Sequence, residues 1–209
     1  RISAALVTSR PVRPIPSIDH EHHLNQVFFD NVVVPVDRRI GEEGQAWAYT
    51  KFVLTNERTG AAGVDRVKAG LRRARSALGS VARTLDAAAA AQFRRRLAQL
   101  NIDTIALEWA VLRVLTAKER DMSAASALKL RGSALAQKVA ELVVDILGPG
   151  ALPLYPSQLD LDDPGMNLAF AGPQPPGAMA THLYRRALTI AGGTYEVQRG
   201  ILAKQLFGL

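Results

Sequence analysis

The sequence contains no cysteine. That excludes a disulfide framework and any thiolate metal site, and it fits a reducing compartment, so a cytoplasmic location is expected. Aromatic residues make up only 6% of the chain. No apolar run approaches the roughly 18 residues of a membrane-spanning helix, and no leader peptide opens the chain. There is no initiator Met: the chain starts at Arg1-Ile-Ser-Ala-Ala-Leu-Val-Thr8, directly in strand-like sequence. It reads as a piece of a longer protein.

What is present favours helices. The chain has 209 residues, 48% of them hydrophobic, which gives room for one large domain or two small ones and for a sizeable core. Ala and Leu dominate, and both are strong helix formers. The net charge is +7, spread over Arg72, Arg73, Arg75, Arg83, Arg94, Arg95 and Arg96. An Arg-rich solvated surface is one explanation and attraction to a polyanion the other. No aromatic residues alternate with these arginines and no nucleic-acid motif accompanies them, so nucleic-acid binding ranks below the alternatives.

Residues 2–8 and 27–34 are rich in β-branched or aromatic residues and read as strands, punctuated by Pro11, Pro14, Pro16 and Pro35. Residues 1–40 are therefore expected to be the end of an all-β unit. At Gly41-Glu-Glu-Gly44 the pattern changes, and apolar residues recur at helical spacing from about Gln45 to about Leu85. A second helix is expected from about Ala87 to about Lys118. Phe93, Leu97, Leu100, Leu107, Val111 and Val114 form one stripe on it, and Ile102, Ile105, Trp109 and Leu112 form another. Two stripes imply a helix covered on more than one side, as in the middle of a bundle. A third helix runs from about Ser123 to Leu147 and is stopped by Gly148-Pro-Gly150. Residues 148–177 read as a long loop, followed by short helices near 178–189 and 195–207. The expected fold is mostly α with a β remnant, in which residues 41–209 form an antiparallel four-helix bundle domain.

Two places carry candidate chemistry. Glu57, if helical, has Val53, Leu54, Gly60 and Ala61 as its neighbours, with Val64 continuing that face. A carboxylate among apolar and very small side chains is costly to bury without a role or a partner. Burial would raise its pKa, which suits a general base near neutrality. The plainer reading is a partly wet face, or neutralisation by Arg58 or a distant Arg, and on the residues alone it carries more weight. The second place is Ile190-Ala-Gly-Gly-Thr-Tyr-Glu-Val-Gln-Arg199: a glycine pair, a Thr suited to capping, then an amphipathic helix. Such a junction leaves backbone N–H groups pointing beyond the helix start. His20, His22 and His23 with Glu21 count as metal ligands on composition, but they fall on an expected β-turn and the reading without metal is preferred.

Val27-Phe-Phe-Asp-Asn-Val-Val-Val-Pro35, Gly41-Glu-Glu-Gly-Gln-Ala-Trp47, Asn56-Glu-Arg58, Ile190-Ala-Gly-Gly-Thr-Tyr-Glu-Val-Gln-Arg199 and Leu206-Phe-Gly-Leu209 follow one another as they do in the acyl-CoA dehydrogenase family. The chain resembles the second half of such an enzyme: the end of the middle β-barrel domain and the C-terminal four-helix bundle. The resemblance implies an FAD-dependent oxidoreductase acting on an acyl-CoA substrate. A Glu removes the proton next to the thioester carbonyl, a hydride leaves the next carbon for the flavin, and a trans-2-enoyl-CoA results. Many members carry that Glu where this chain has Gly192. Others carry it on the long helix, one residue before an Arg, as Glu57 stands before Arg58.

By that resemblance Glu57 is the catalytic base and the backbone N–H of Gly192 an oxyanion donor. Arg58 anchors the thioester or orients Glu57, or is an ordinary ion-paired Arg. Gly193 and Thr194 contact the flavin, with a plain helix N-cap as the other reading of Thr194. Glu196 lies near the nucleotide part, or serves only the helix dipole. Two departures stand out. Arg75-Ser-Ala-Leu-Gly79 is a degenerate form of a flavin-contacting Arg-x-x-Phe-Gly motif, and Asp145 replaces a Gln. The combination is similar to large subunits of heteromeric members that act on pimeloyl-CoA-like, dicarboxylic or steroid-derived thioesters. The implied partners are an electron-transfer flavoprotein or similar acceptor, and identical or homologous chains joined through the helical domain. The alternative is a non-catalytic homologous subunit that completes the flavin site of a partner dehydrogenase.

Overall fold

In residues 64–147, apolar side chains recur at every third or fourth position, and three long helices bury them against one another. The computed structural model describes residues 13–19, 22–29, 32–57, 60–117, 122–152 and 177–208. Two short strands, β1 (Arg13–Pro16) and β2 (His22–Gln26), pair antiparallel with a register irregularity between Ile15 and Pro16. Six α-helices follow among the described residues: α1 (Ala46–Glu57), α2 (Val64–Val81), α3 (Ala87–Thr116), α4 (Met122–Leu147), α5 (Ala178–Arg185) and α6 (Tyr195–Phe207). Val67, Leu71, Ala74 and Leu78 of α2 meet Leu100 and Leu107 of α3 and Leu128, Leu135, Val139, Leu142 and Ile146 of α4 in one core. Helix α4 touches α2, α3, α5 and α6 and is the central element. None of the described helices is long and apolar enough to cross a membrane.

Glycines set how closely α4 can approach its neighbours. A Cβ on Gly132 would overlap the backbone carbonyl of Ala62, and a Cβ on Gly70 would lie 2.6 Å from Val139 Cγ1. The helix ends are chemically defined too. The Asp86 carboxylate accepts from Ala89 N–H at 2.7 Å at the start of α3, and Thr194 Oγ1 accepts from Val197 N–H at 3.2 Å at the start of α6. Gly208, at φ 69°, closes α6 in the left-handed region.

The structure corrects several expectations. The helical run from 45 to 85 is two helices, interrupted after Glu57 by a 3₁₀ turn at Gly60–Ala62 and by Gly63 at φ 58°. The spacing that aligned Glu57 with Gly60, Ala61 and Val64 therefore does not describe one continuous face. Residues 46–53 of α1 are all exposed, Val53 among them. Among the described residues, 27–29 and 32–35 carry no strand, and the strands lie instead at 13–16 and 22–26. A β-branched run needs a partner strand to become a strand, and this segment has none among the described residues. The expected strand at 2–8 lies outside the described residues, as do 153–176 of the long loop. The inner stripe of α3 packs as expected, but its second stripe, including Trp109 at 64% and Ile102 at 59%, is exposed in the single chain.

The His23 ring stacks on that of Tyr184 in α5 at 3.8 Å, and its Nε2 lies 2.7 Å from the Asp19 carboxylate. His22 begins β2, and His20 and Glu21 lie outside the described residues.

The glycine contacts give a paired expectation. Gly132→Ala should destabilise the protein by about 1–3 kcal/mol, because the new methyl must push a backbone carbonyl rather than a flexible side chain. Gly79→Ala, with nothing within 4 Å of the new atom, should be neutral or stabilise by up to about 1 kcal/mol. Urea unfolding midpoints of the two variants check both.

Candidate functional site

The site forms where the chain turns from α5 into α6. A 3₁₀ turn at Arg186–Thr189 continues α5, and the backbone then reverses through Ile190–Gly193. Gly192 and Gly193 take φ of 72° and 92°, the region that side chains with a Cβ avoid. Space is open where a Gly192 side chain would stand, whereas a Cβ on Gly193 would overlap the Gln198 amide. The N–H groups of Gly192 and Thr194 have no protein acceptor among the described residues, whereas that of Gly193 closes the turn over residues 190–192.

Beneath the turn lies Lys129 of α4, only 3% exposed. Its ammonium donates to Gly193 O at 2.7 Å and to Leu188 O at 3.1 Å, and stands 5.1 Å from the centre of the Tyr195 ring. The Tyr195 hydroxyl donates to Leu130 O at 3.4 Å. Gln198, also buried, donates through Nε2 to Gly192 O at 3.2 Å, and its Oε1 has no partner among the described residues. The inner carbonyls of both glycines are thus held by side chains from two different helices.

The charges respond to this packing. Burial pushes the Lys129 ammonium below its ordinary pKa, and the nearby Glu196 carboxylate opposes that shift. Burial pushes the Tyr195 phenol up, against a hydrogen bond from Ser133 and the charge of Arg199. The Glu196 carboxyl is lowered, first by its own backbone N–H, then by the Thr194 hydroxyl, with Arg199 and Lys129 adding to the effect. This exposed carboxylate lies across the first turn of α6, where the unpaired N–H groups favour negative charge.

Gly192, Gly193, Thr194 and Glu196 are brought together as the sequence implies. Glu57 is the last residue of α1, with its side chain outside the described part, and Arg58 lies outside the described residues. Arg75 donates to Asn101 Oδ1 at 2.8 Å, and Asp145 pairs with Arg96 at 2.8 Å, so both tie α3 to its neighbours. Sequence reasoning missed Lys129. A signal existed: Ser126, Lys129 and Ser133 recur at spacings of three and four on a helix whose other inward positions are apolar, and all three are buried.

Three comparisons bear on this arrangement. Residues 44–207 match the family model "Acyl-CoA dehydrogenase, C-terminal domain". The chain is 27% identical over 200 residues to acyl-CoA dehydrogenase IpdE1 of Mycolicibacterium smegmatis, covering 95% of this chain and 45% of that protein. Among solved structures it resembles the ChsE4-ChsE5 complex from Mycobacterium tuberculosis, with a TM-score of 0.69, 24% identity, and coverage of 95% of this chain and 49% of that one. It also resembles the Tcur3481-Tcur3483 steroid ACAD, with a TM-score of 0.71, 21% identity, and coverage of 95% and 48%. The likeness to the solved structures speaks to the fold. The chain spans about half the length of these relatives.

The Glu196 geometry sets a pH dependence. Its folded pKa is depressed, so its stabilisation is present above the unfolded value of about 4.3 and is lost as pH falls through the folded value. Glu196→Gln should flatten the acid limb of the stability curve, leaving a smaller drop in thermal midpoint between pH 5 and pH 3 than the parent shows. An unchanged acid limb would mean that the carboxylate contributes nothing at this helix end.

Proposed function

We infer the function from one premise: the chain belongs to the acyl-CoA dehydrogenase family. On that premise it supplies the C-terminal half of a flavin-dependent enzyme that oxidises an acyl-CoA thioester across its α and β carbons. The observation that carries the reading is the family match over residues 44–207 together with the glycine turn at the start of α6. The turn fits FAD or a thioester chemically. It offers the Gly192 and Thr194 N–H groups without protein acceptors among the described residues, open space at Gly192 and a buried Lys129 beneath it. Gly193, Thr194 and Glu196 would hold the cofactor there. FAD, when bound, provides the acceptor for the hydride that leaves the β carbon.

The rest of the chemistry falls to this chain. The α proton of a thioester is a weak acid, so a base must be close, and the carbonyl oxygen must be hydrogen-bonded as charge develops on it. Glu57 is the proposed base. It takes the α proton while the Gly192 N–H donates to the thioester oxygen, and Arg58 anchors the thioester or orients Glu57. Gly192 has no side chain to act in place of Glu57. A steroid-derived or dicarboxylic acyl group is the proposed substrate class, supported by the steroid ACAD among the structural relatives. Electrons would pass on to an electron-transfer flavoprotein or a similar acceptor.

A second reading is favoured by Gly192 and by the use of Arg75 as a tie to Asn101. In it the chain is a non-catalytic subunit that completes the flavin site of a homologous partner. Glu57→Gln separates the two. On the catalytic reading it should lower turnover by at least a thousandfold in the assembled full-length enzyme while FAD stays bound, read as the yellow flavin absorbance. Turnover within a few-fold of the parent would leave only the second reading.

Assembly follows from the outer face of α3. Ile102, Ile105, Trp109 and Leu112 form an exposed apolar stripe, which is costly to leave in water. The chain should pair through its helical domain with an identical or homologous chain. Sedimentation of this chain as a 22.6 kDa monomer at micromolar concentration would count against it.

A further inference from the structure

We propose that Arg66 and Arg73 of α2 and Arg185 of α5 form a binding site for a phosphate group. The site follows from how these two helices meet and needs nothing from the reading of the glycine turn. Residues seven apart lie on one face of a helix, so Arg66 and Arg73 share a side of α2. Residues four apart do the same, so Thr181 and Arg185 share a side of α5. Arg73 Nη1 donates to Thr181 Oγ1 at 3.3 Å, which sets those two faces against each other. Arg185 is half-buried there. Burial pushes its guanidinium below the ordinary pKa, the charges of Arg66 and Arg73 push it further, and Tyr184 and Asp65 oppose them.

The arrangement lacks a counter-charge. Among the described residues no carboxylate forms an ion pair with any of the three arginines. Asp65 acts on Arg185 but is itself exposed. Arg66 also stands where a cation is least welcome. A Cβ on Gly63 would lie 3.1 Å from Arg66 Nη1, so the guanidinium folds back over the start of α2. Gly63 caps that helix without a side chain, and the unpaired N–H groups of the first turn carry the positive end of its dipole. With Arg185 and Arg73 added, like charges repel across the α2–α5 contact, and an oxyanion between them reverses the sign of that interaction. Each guanidinium is a planar fork of N–H donors that matches phosphate oxygens and stays charged. Three forks suit a terminal phosphate, which offers three oxygens, better than a carboxylate, which offers two.

The bland alternative is a set of solvated arginines whose repulsion any salt screens. The full-length protein, with any partner subunit it requires, separates the two. Its thermal midpoint is read against inorganic phosphate and against chloride at matched ionic strength, and phosphate binding is measured by calorimetry. A site predicts a saturable rise with phosphate that chloride does not give. Arg185→Gln should weaken phosphate binding at least tenfold, and Arg73→Gln, at an exposed position, stands in should that variant fail to fold. Arg94→Gln, on the exposed side of α3, should leave binding unchanged. Two sources carry such a group, a coenzyme A thioester and free phosphate. Coenzyme A that competes with phosphate in the parent assigns the site to the thioester's own phosphates, and phosphate binding that coenzyme A leaves unchanged assigns it to the free ion; either result keeps the site. Equal responses to phosphate and chloride, or the same loss in Arg94→Gln as in the cluster variants, would overturn it.

Discussion

The close approach of α4 to α2 is the constraint on which the rest of the molecule depends. Gly132 lets the α4 backbone lie against the Ala62 carbonyl, and Gly70 makes room for Val139. At that distance Val67, Leu71, Val139 and Leu142 are almost wholly removed from water. Each such side chain contributes about 1.5–3 kcal/mol relative to exposure. With α4 fixed, its opposite side becomes the floor on which α5 and α6 rest. The register of α4 then decides which of its residues lies beneath the glycine turn, and that residue is Lys129. A slip of one residue would place Leu128 or Leu130 there, and neither can hold a carbonyl.

Most of the fold was legible in the sequence because helix signals are local. The start of α3 at Asp86, the end of α4 at Gly148 and the limits of α6 between Thr194 and Gly208 all come from caps and breakers that act within a few residues. The β region was less legible. Val27–Val34 has strand-like composition, but a strand exists only through its neighbour, and composition says nothing about one. The break between α1 and α2 was missed for a related reason. Apolar spacing ran on through Gly60 and Gly63, and a left-handed glycine interrupts a helix without disturbing that spacing.

The candidate site was legible in part. A Gly-Gly-Thr junction before an amphipathic helix announces free backbone donors, and among the described residues the Gly192 and Thr194 N–H groups have no protein acceptor. What supports them from below was hidden, because Lys129 sits 64 residues away in sequence from the carbonyl it holds. The polar stripe Ser126, Lys129, Ser133 marked the place on α4 but not its partner. Arg75 and Asp145, the two departures from the family pattern, join α3 to its neighbours through Asn101 and Arg96, partners that the sequence did not indicate.

The Glu196 carboxylate has a bearing on what the start of α6 can select. It already sits against the positive end of the helix, so much of the field there is spent before any ligand arrives. Because the carboxylate is exposed, water and salt screen it, and its hold on that field is confined to the first turn of the helix.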